Sequence, residues 1–303
     1  MLRRLTPVLI ALVAVTVALP SAAKAGAKLR IVATFSILGD FVRNVGGDKV
    51  KLHTLVGPDG DPHNYEPNPL DSVALVKAGV VFENGLGFEA WLDDLYRTSR
   101  SKAKRVAVTH GLRPIYREPR RLGRKEADPH MWLDADRAAH MVRGVRDALI
   151  SADPANAGLF GTNAMRYIAE LRALDTWIFK QVRGVPEANR ILVTSHQTFG
   201  YFAARYGFQV LGSALDSLTT EASEPPAGRI AALMKEMKSA SVRAVFPETL
   251  HSPRWMERLA AETGANLAPS LYTGALGKRG SPAGTYVQMM KHNVQTIVNA
   301  LRP

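Results

Sequence analysis

Residues 135–183 read ADRAAHMVRGVRDALISADPANAGLFGTNAMRYIAELRALDTWIFKQVR, and no strand-like run interrupts them. Leu159, Met165, Ile168, Leu171, Leu174 and Ile178 recur at roughly helical spacing, and Pro154 breaks the stretch and restarts it. This is a long helix or a helix pair. On both sides of it, strand-like and helix-like segments alternate. Before it come strands at 29–34, 50–56, 80–82 and 105–109, with helices at 37–45, 69–77 and 89–96 between them. Asn68 is an N-cap and Pro69 stands at the first helical position. After it come strands at 191–195, 208–211 and 242–246, with helices at 199–206, 227–239, 252–263 and 285–301. Gly264 is placed to end the 252–263 helix. Strands separated by helices imply parallel sheets. The expected fold is α/β with two lobes, each a mostly parallel sheet flanked by helices, at residues 26–135 and 187–303. Residues 136–186 form the helical connection.

Residues 1–25 stand apart. Arg3 and Arg4 precede an apolar run from Val8 to Leu19, and Ala23-Lys24-Ala25 has the small-x-small cleavage pattern, with Ser21-Ala22-Ala23 competing. The run is too short to cross a bilayer comfortably. These features make the segment a secretory signal peptide and place the mature chain outside the cytoplasm, in the periplasm of a cell that has one. The chain contains no cysteine. Its core must therefore supply its stability, and any metal site must use nitrogen and oxygen donors. Net charge is +12 from 39 Lys and Arg against 27 Asp and Glu; Arg3, Arg4 and Lys24 leave with the leader, so the mature chain carries +9. The basic residues are scattered except around 113–125, which reads as a solvated loop. No nucleic-acid motif accompanies them, so nucleic acid is not an expected partner.

The chemistry gathers in histidines. Asp-Pro-His occurs twice, at Asp61-Pro62-His63 and Asp128-Pro129-His130, and His196 follows the 191–195 strand. Open α/β sheets bind ligands beyond the carboxyl ends of their strands, which is where His63 and His196 fall. Glu248 follows the 242–246 strand in the same way. Proline stiffens the approach to each histidine of the repeated motif. The aspartate before it can bond turn amides or orient an imidazole. Each Asp-Pro-His is also compatible with ordinary turn chemistry, and His196 with a capping or core role. His53, His110, His140, His251 and His292 lack a comparable context and are read as structural.

Taken together, the segments Gly57 through Pro67, Asn84 through Leu92, Asp128 through Asp134, Thr194 through Phe202, and Thr285 through Asn293 resemble the zinc/manganese-type solute-binding proteins of bacterial ABC importers. In that family a rigid helix joins two α/β lobes. The resemblance implies that His63, His130 and His196 are metal ligands and that the chain is not an enzyme. Zinc members tend to carry histidine at the third position and manganese members glutamate, so His196 points to Zn2+ as the transported ion ahead of Mn2+. Imidazole donors suit zinc better than manganese on chemical grounds. The resemblance also calls for a fourth ligand, an aspartate near the C-terminus, but Gly274 stands at that position. Glu248 is the candidate substitute, and water is the other. The expected partners are the metal ion and the membrane permease of an ABC importer, with the chain itself monomeric. Competing readings are a manganese-binding homologue, a metal chaperone or adhesin on the same fold, and a zinc hydrolase using Glu248. Metal affinity is expected to fall as the histidines protonate in mildly acidic solution.

Overall fold

A computed structural model describes residues 27–117, 125–215, 217–220 and 225–303. The leader at 1–25 and most of the basic loop lie outside the described residues. In the first half, β1 (Leu29–Phe35), α1 (Ser36–Gly46), β2 (Val50–Val56), α2 (Pro69–Lys77), β3 (Val80–Glu83), α3 (Leu92–Ser99) and β4 (Lys104–Ala107) form a four-stranded parallel sheet in the order β2-β1-β3-β4. A two-stranded antiparallel ribbon follows, β5 (Tyr116–Arg117) with β6 (Glu126–Ala127). Then come the connecting helices, α4 (Ala135–Ala152) and the 26-residue α5 (Ala157–Val182). Pro154 opens the single turn between them, so the 135–183 stretch is a helix pair.

The second half contains β7 (Ile191–Thr194), α6 (Gly200–Tyr206), β8 (Gln209–Ser213), α7 (Ala227–Ser239), β9 (Ala244–Val245), α8 (Arg254–Thr263), β10 (Asn266–Leu267) and α9 (Tyr286–Leu301). β7 pairs with β8 and β9 with β10, all parallel, and a parallel bridge from Thr194 to Phe246 brings the two pairs side by side. The local caps behave as their chemistry requires. The Asn68 side chain accepts from the Leu70 amide while Asp71 reaches back to the Asn68 amide. Gly264 ends α8 at φ 79°, a left-handed conformation that glycine adopts without a Cβ penalty.

Strand alternation sorts side chains into three clusters. Ile31, Ala33 and Phe35 of β1, Val80 and Phe82 of β3, Leu192 of β7, and Ala244 with Phe246 beside β9 share one core with α1, α4, α5 and α9. Val32 and Val81 point the other way into a cluster beneath α2 and α3. Val193 and Val245 join α7 and α8 on the outer face of the second sheet. The two halves therefore meet in one continuous apolar core around the helix pair. Asp40 is buried within it and accepts from Tyr167 Oη of α5 (3.1 Å) and the Tyr286 amide of α9 (3.2 Å). Burial, opposed by these bonds, raises its pKa.

Two sequence expectations are corrected. Met165 does not join the buried stripe of α5 but is 68% exposed; Phe160, Ala164, Tyr167, Ile168, Leu171, Leu174 and Ile178 carry the stripe instead. The helix expected from Glu89 begins at Leu92. Gly85, Leu86 and Gly87 all have positive φ, and the Glu89 carboxylate accepts from Thr34 Oγ1 and the Asn84 and Gly85 amides. Glu89 is thus drawn back into the turn. Burial pushes its carboxyl up to about 7 despite those three donors.

Candidate metal centre

Both Asp-Pro-His segments fold into the same local structure. The His63 amide donates to Asp61 Oδ1 and the His130 amide to Asp128 Oδ1, each at 2.9 Å. These are Asx turns, in which the aspartate replaces a backbone acceptor two residues away. His63 reaches its place from the loop after β2, His130 from the loop after β6, and His196 from the end of β7. His63 Nε2 and His196 Nε2 each lie 3.3 Å from His130 Nε2. All three imidazoles are buried, and their ligating atoms lie within 4.8 Å of one another.

Carboxylates behind two of the rings set their tautomers. His130 Nδ1 faces Asp128 Oδ1 at 2.8 Å, and His196 Nδ1 faces Glu248 Oε2 at 2.7 Å. A carboxylate accepts only, so each Nδ1 carries the proton and each Nε2 presents a lone pair to the centre. Neighbouring lone pairs at 3.3 Å repel unless a cation shares them. In tetrahedral coordination, Zn–N bonds of about 2.0–2.1 Å give an N···N edge of roughly 3.3–3.4 Å, matching the spacing here.

The surrounding packing holds the rings in place. His63 stands edge-on to Phe88, with ring centroids 4.5 Å apart. Trp132 lies 5.3 Å from the His130 ring, donates from Nε1 to the Thr273 carbonyl, and accepts at its own carbonyl from Tyr286 Oη. Second-half residues also grip the first-half loops. Tyr201 Oη donates to the Asp128 carbonyl (2.6 Å), and Thr220 Oγ1 donates to Asp61 Oδ2 (2.5 Å). A Cβ on Gly200 would stand 2.7 Å from Asp128 Oδ2, so α6 approaches this carboxylate closely only because the residue is glycine.

Glu248 does not join the three converging nitrogens. It sits on the Nδ1 side of His196, accepting from the His196 amide at Oε1 and from Thr273 Oγ1 at Oε2. Burial would push its carboxyl up, but the adjoining His196 and His251 rings and these donors hold it at about 2. Gly274 offers no side chain, and a Cβ there would meet Leu250 Cδ1 at 2.9 Å with Pro62 just beyond. His53, His110, His140 and His292 lie outside the cluster, whereas His251, read from the sequence as structural, lies beside it. Its Nε2 is 3.2 Å from His196 Nδ1, and with Glu248 it completes a second group of potential ligand atoms. Only its proximity to Glu248 in sequence hinted at this.

The family model described as "ZnuA: Zinc-uptake complex component A periplasmic" matches residues 31–300. The chain belongs to this family. Among its relatives, the manganese-binding lipoprotein MntA of Halalkalibacterium halodurans is 36% identical over 277 residues, covering 91% of this chain and 89% of that protein. The iron ABC transporter substrate-binding lipoprotein MtsA of Streptococcus pyogenes is 32% identical over 280 residues, 90% of this chain and 89% of its own. In three dimensions, the periplasmic zinc binding protein TroA from Treponema pallidum superimposes with a TM-score of 0.84 at 30% identity, covering 92% of this chain and all of that one. The Mn-bound periplasmic metal binding protein of Candidatus Liberibacter asiaticus gives 0.81 at 28% identity, covering 90% and 100%. Membership makes this chain an extracytoplasmic, metal-binding solute-binding component of an ABC importer, not an enzyme. The hydrolase reading falls with it.

Proposed function

We propose that the protein captures Zn2+ at His63, His130 and His196 and delivers it to an ABC permease. The observation that carries this reading is the donor set: three buried imidazoles, with the Nε2 atoms of His63 and His196 each at zinc-edge spacing from that of His130 and no carboxylate oxygen of the described residues among them. Asp128 and Glu248 act behind the ligands, fixing tautomer and ring orientation. The manganese names of several relatives favour a second reading, Mn2+ as cargo. A site of neutral nitrogens argues against it, since Mn2+ prefers oxygen. Metal analysis of purified protein beside His63→Ala, His130→Ala and His196→Ala variants tests the proposal. One zinc per wild-type chain, lost in each variant, supports it; zinc that survives all three substitutions removes the site.

Asp128→Asn is expected to weaken zinc binding by ~10–100-fold while leaving the fold intact, because the Nδ1 partner of His130 loses its charge. Competitive chelator titration measures this, and unchanged affinity would deny Asp128 its orienting role.

Burial alters the expected pH response. It lowers the His63 pKa to about 2 and also lowers that of His130, although Asp128 pulls the latter upward. The sign follows from the unfolded value near 6.5. Below it the unfolded chain takes up protons that these two folded imidazoles refuse, so their contribution to stability is complete above that pH and lost as pH falls. For zinc, His63 does not compete with protons between pH 7.5 and 5, so the three ligands do not titrate together there. The log of the affinity should therefore change by fewer than three per pH unit. A slope near three, read from chelator competition, would show that the triad titrates together.

A further inference from the structure

Three imidazoles leave one position of a tetrahedral zinc open. Glu248 faces the far side of His196 and is held by three donors, while Gly274 has no side chain. Among the described residues, the further metal-binding side chain grouped with His196 is His251, in the loop between β9 and α8. Its Nε2 rests 3.2 Å from His196 Nδ1, with ring centroids 4.9 Å apart. That contact is not a settled hydrogen bond. The His196 Nδ1 proton already points to Glu248 Oε2 at 2.7 Å, the shorter and charge-assisted partner. If His251 Nε2 bears a proton, it faces another N–H; if it bears a lone pair, it competes with a carboxylate for a proton it cannot win. Neither tautomer satisfies it, and no other side-chain hydrogen bond holds this ring among the described residues.

The surroundings give His251 room to move. It is half-buried and lines a cavity of about 460 Å³ together with Ser195, Thr220, Leu250, Ser252 and Trp255. Among the described residues lining that cavity, it is the only imidazole or carboxylate. The ring thus stands between the cavity and the Nδ1 edge of His196. A rotamer change would carry Nε2 from the Nδ1 edge of His196 toward the open position.

We propose that His251 is the fourth zinc ligand, parked against His196 before capture and closing the coordination sphere from the cavity side afterwards. This rests on the assignment of the three-histidine zinc site. X-ray absorption fine structure on the zinc-loaded full chain counts imidazoles directly. The expected result is four in the wild type, and three with one oxygen in both His251→Ala and His251→Gln. Both variants should keep one zinc per chain and bind it ~10–100-fold more weakly, since water takes the vacated position. Three imidazoles and one oxygen in the wild type, or unchanged affinity in both variants, overturns His251 and leaves the triad standing. Absence of stoichiometric zinc from the wild type overturns the triad and this inference together.

Discussion

His130→Ala is expected to lower zinc affinity by about a hundredfold to a thousandfold. Apparent binding free energies of ~10–16 kcal/mol, shared among four donors, assign ~2.5–4 kcal/mol to each, and each 1.4 kcal/mol is a factor of ten. His130 is the member of the triad whose Nε2 lies 3.3 Å from both of the others, so its loss separates His63 from His196. The substitution also strands Asp128, fully buried, without its imidazole partner. Zinc competition against a chelator of known affinity reads the effect. His53→Ala is the matching control, since His53 lies in β2, away from the cluster. Equal losses in the two variants would mean that zinc is held elsewhere.

Trp132→Ala is expected to destabilise the protein by ~3–5 kcal/mol, the usual cost of removing a fully buried aromatic side chain. Trp132 packs against Phe35, Phe88 and His130 and bonds across the molecule to the Thr273 carbonyl. It joins the first-half loops to a second-half segment. Because one apolar core runs through both halves and the helix pair, unfolding should remain a single transition, its midpoint lowered by roughly 10 °C. Calorimetry decides the matter. Two transitions, one of them unshifted, would show that the halves are energetically independent.

Much of this was legible in the sequence where local chemistry determines structure. The strand-like runs, the Asn68-Pro69 start and the Gly264 stop each depend on a few neighbouring residues, and each appears in the structure. The repeated Asp-Pro-His was legible for the same reason, since its Asx turn closes within three residues. The failures involve partners distant in the chain. Glu89 leaves its expected helix partly because Thr34, 55 residues away, supplies a donor. Met165 has suitable apolar character but sits one position off the stripe that α1 and α9 cover, a fact visible only after packing. Glu248 and His251 are three residues apart, yet their relation to the site depends on where β7 places His196. A strand end identifies a side chain that can reach a cleft, but does not say which edge of a ring it will face.

Anomalous-difference crystallography of the zinc-loaded protein, with data above and below the zinc absorption edge, most directly tests whether the three histidines form one metal site. The predicted result is a single peak about 2.0–2.1 Å from the Nε2 atoms of His63, His130 and His196. A peak centred elsewhere, or one that contacts fewer than all three rings, would contradict it.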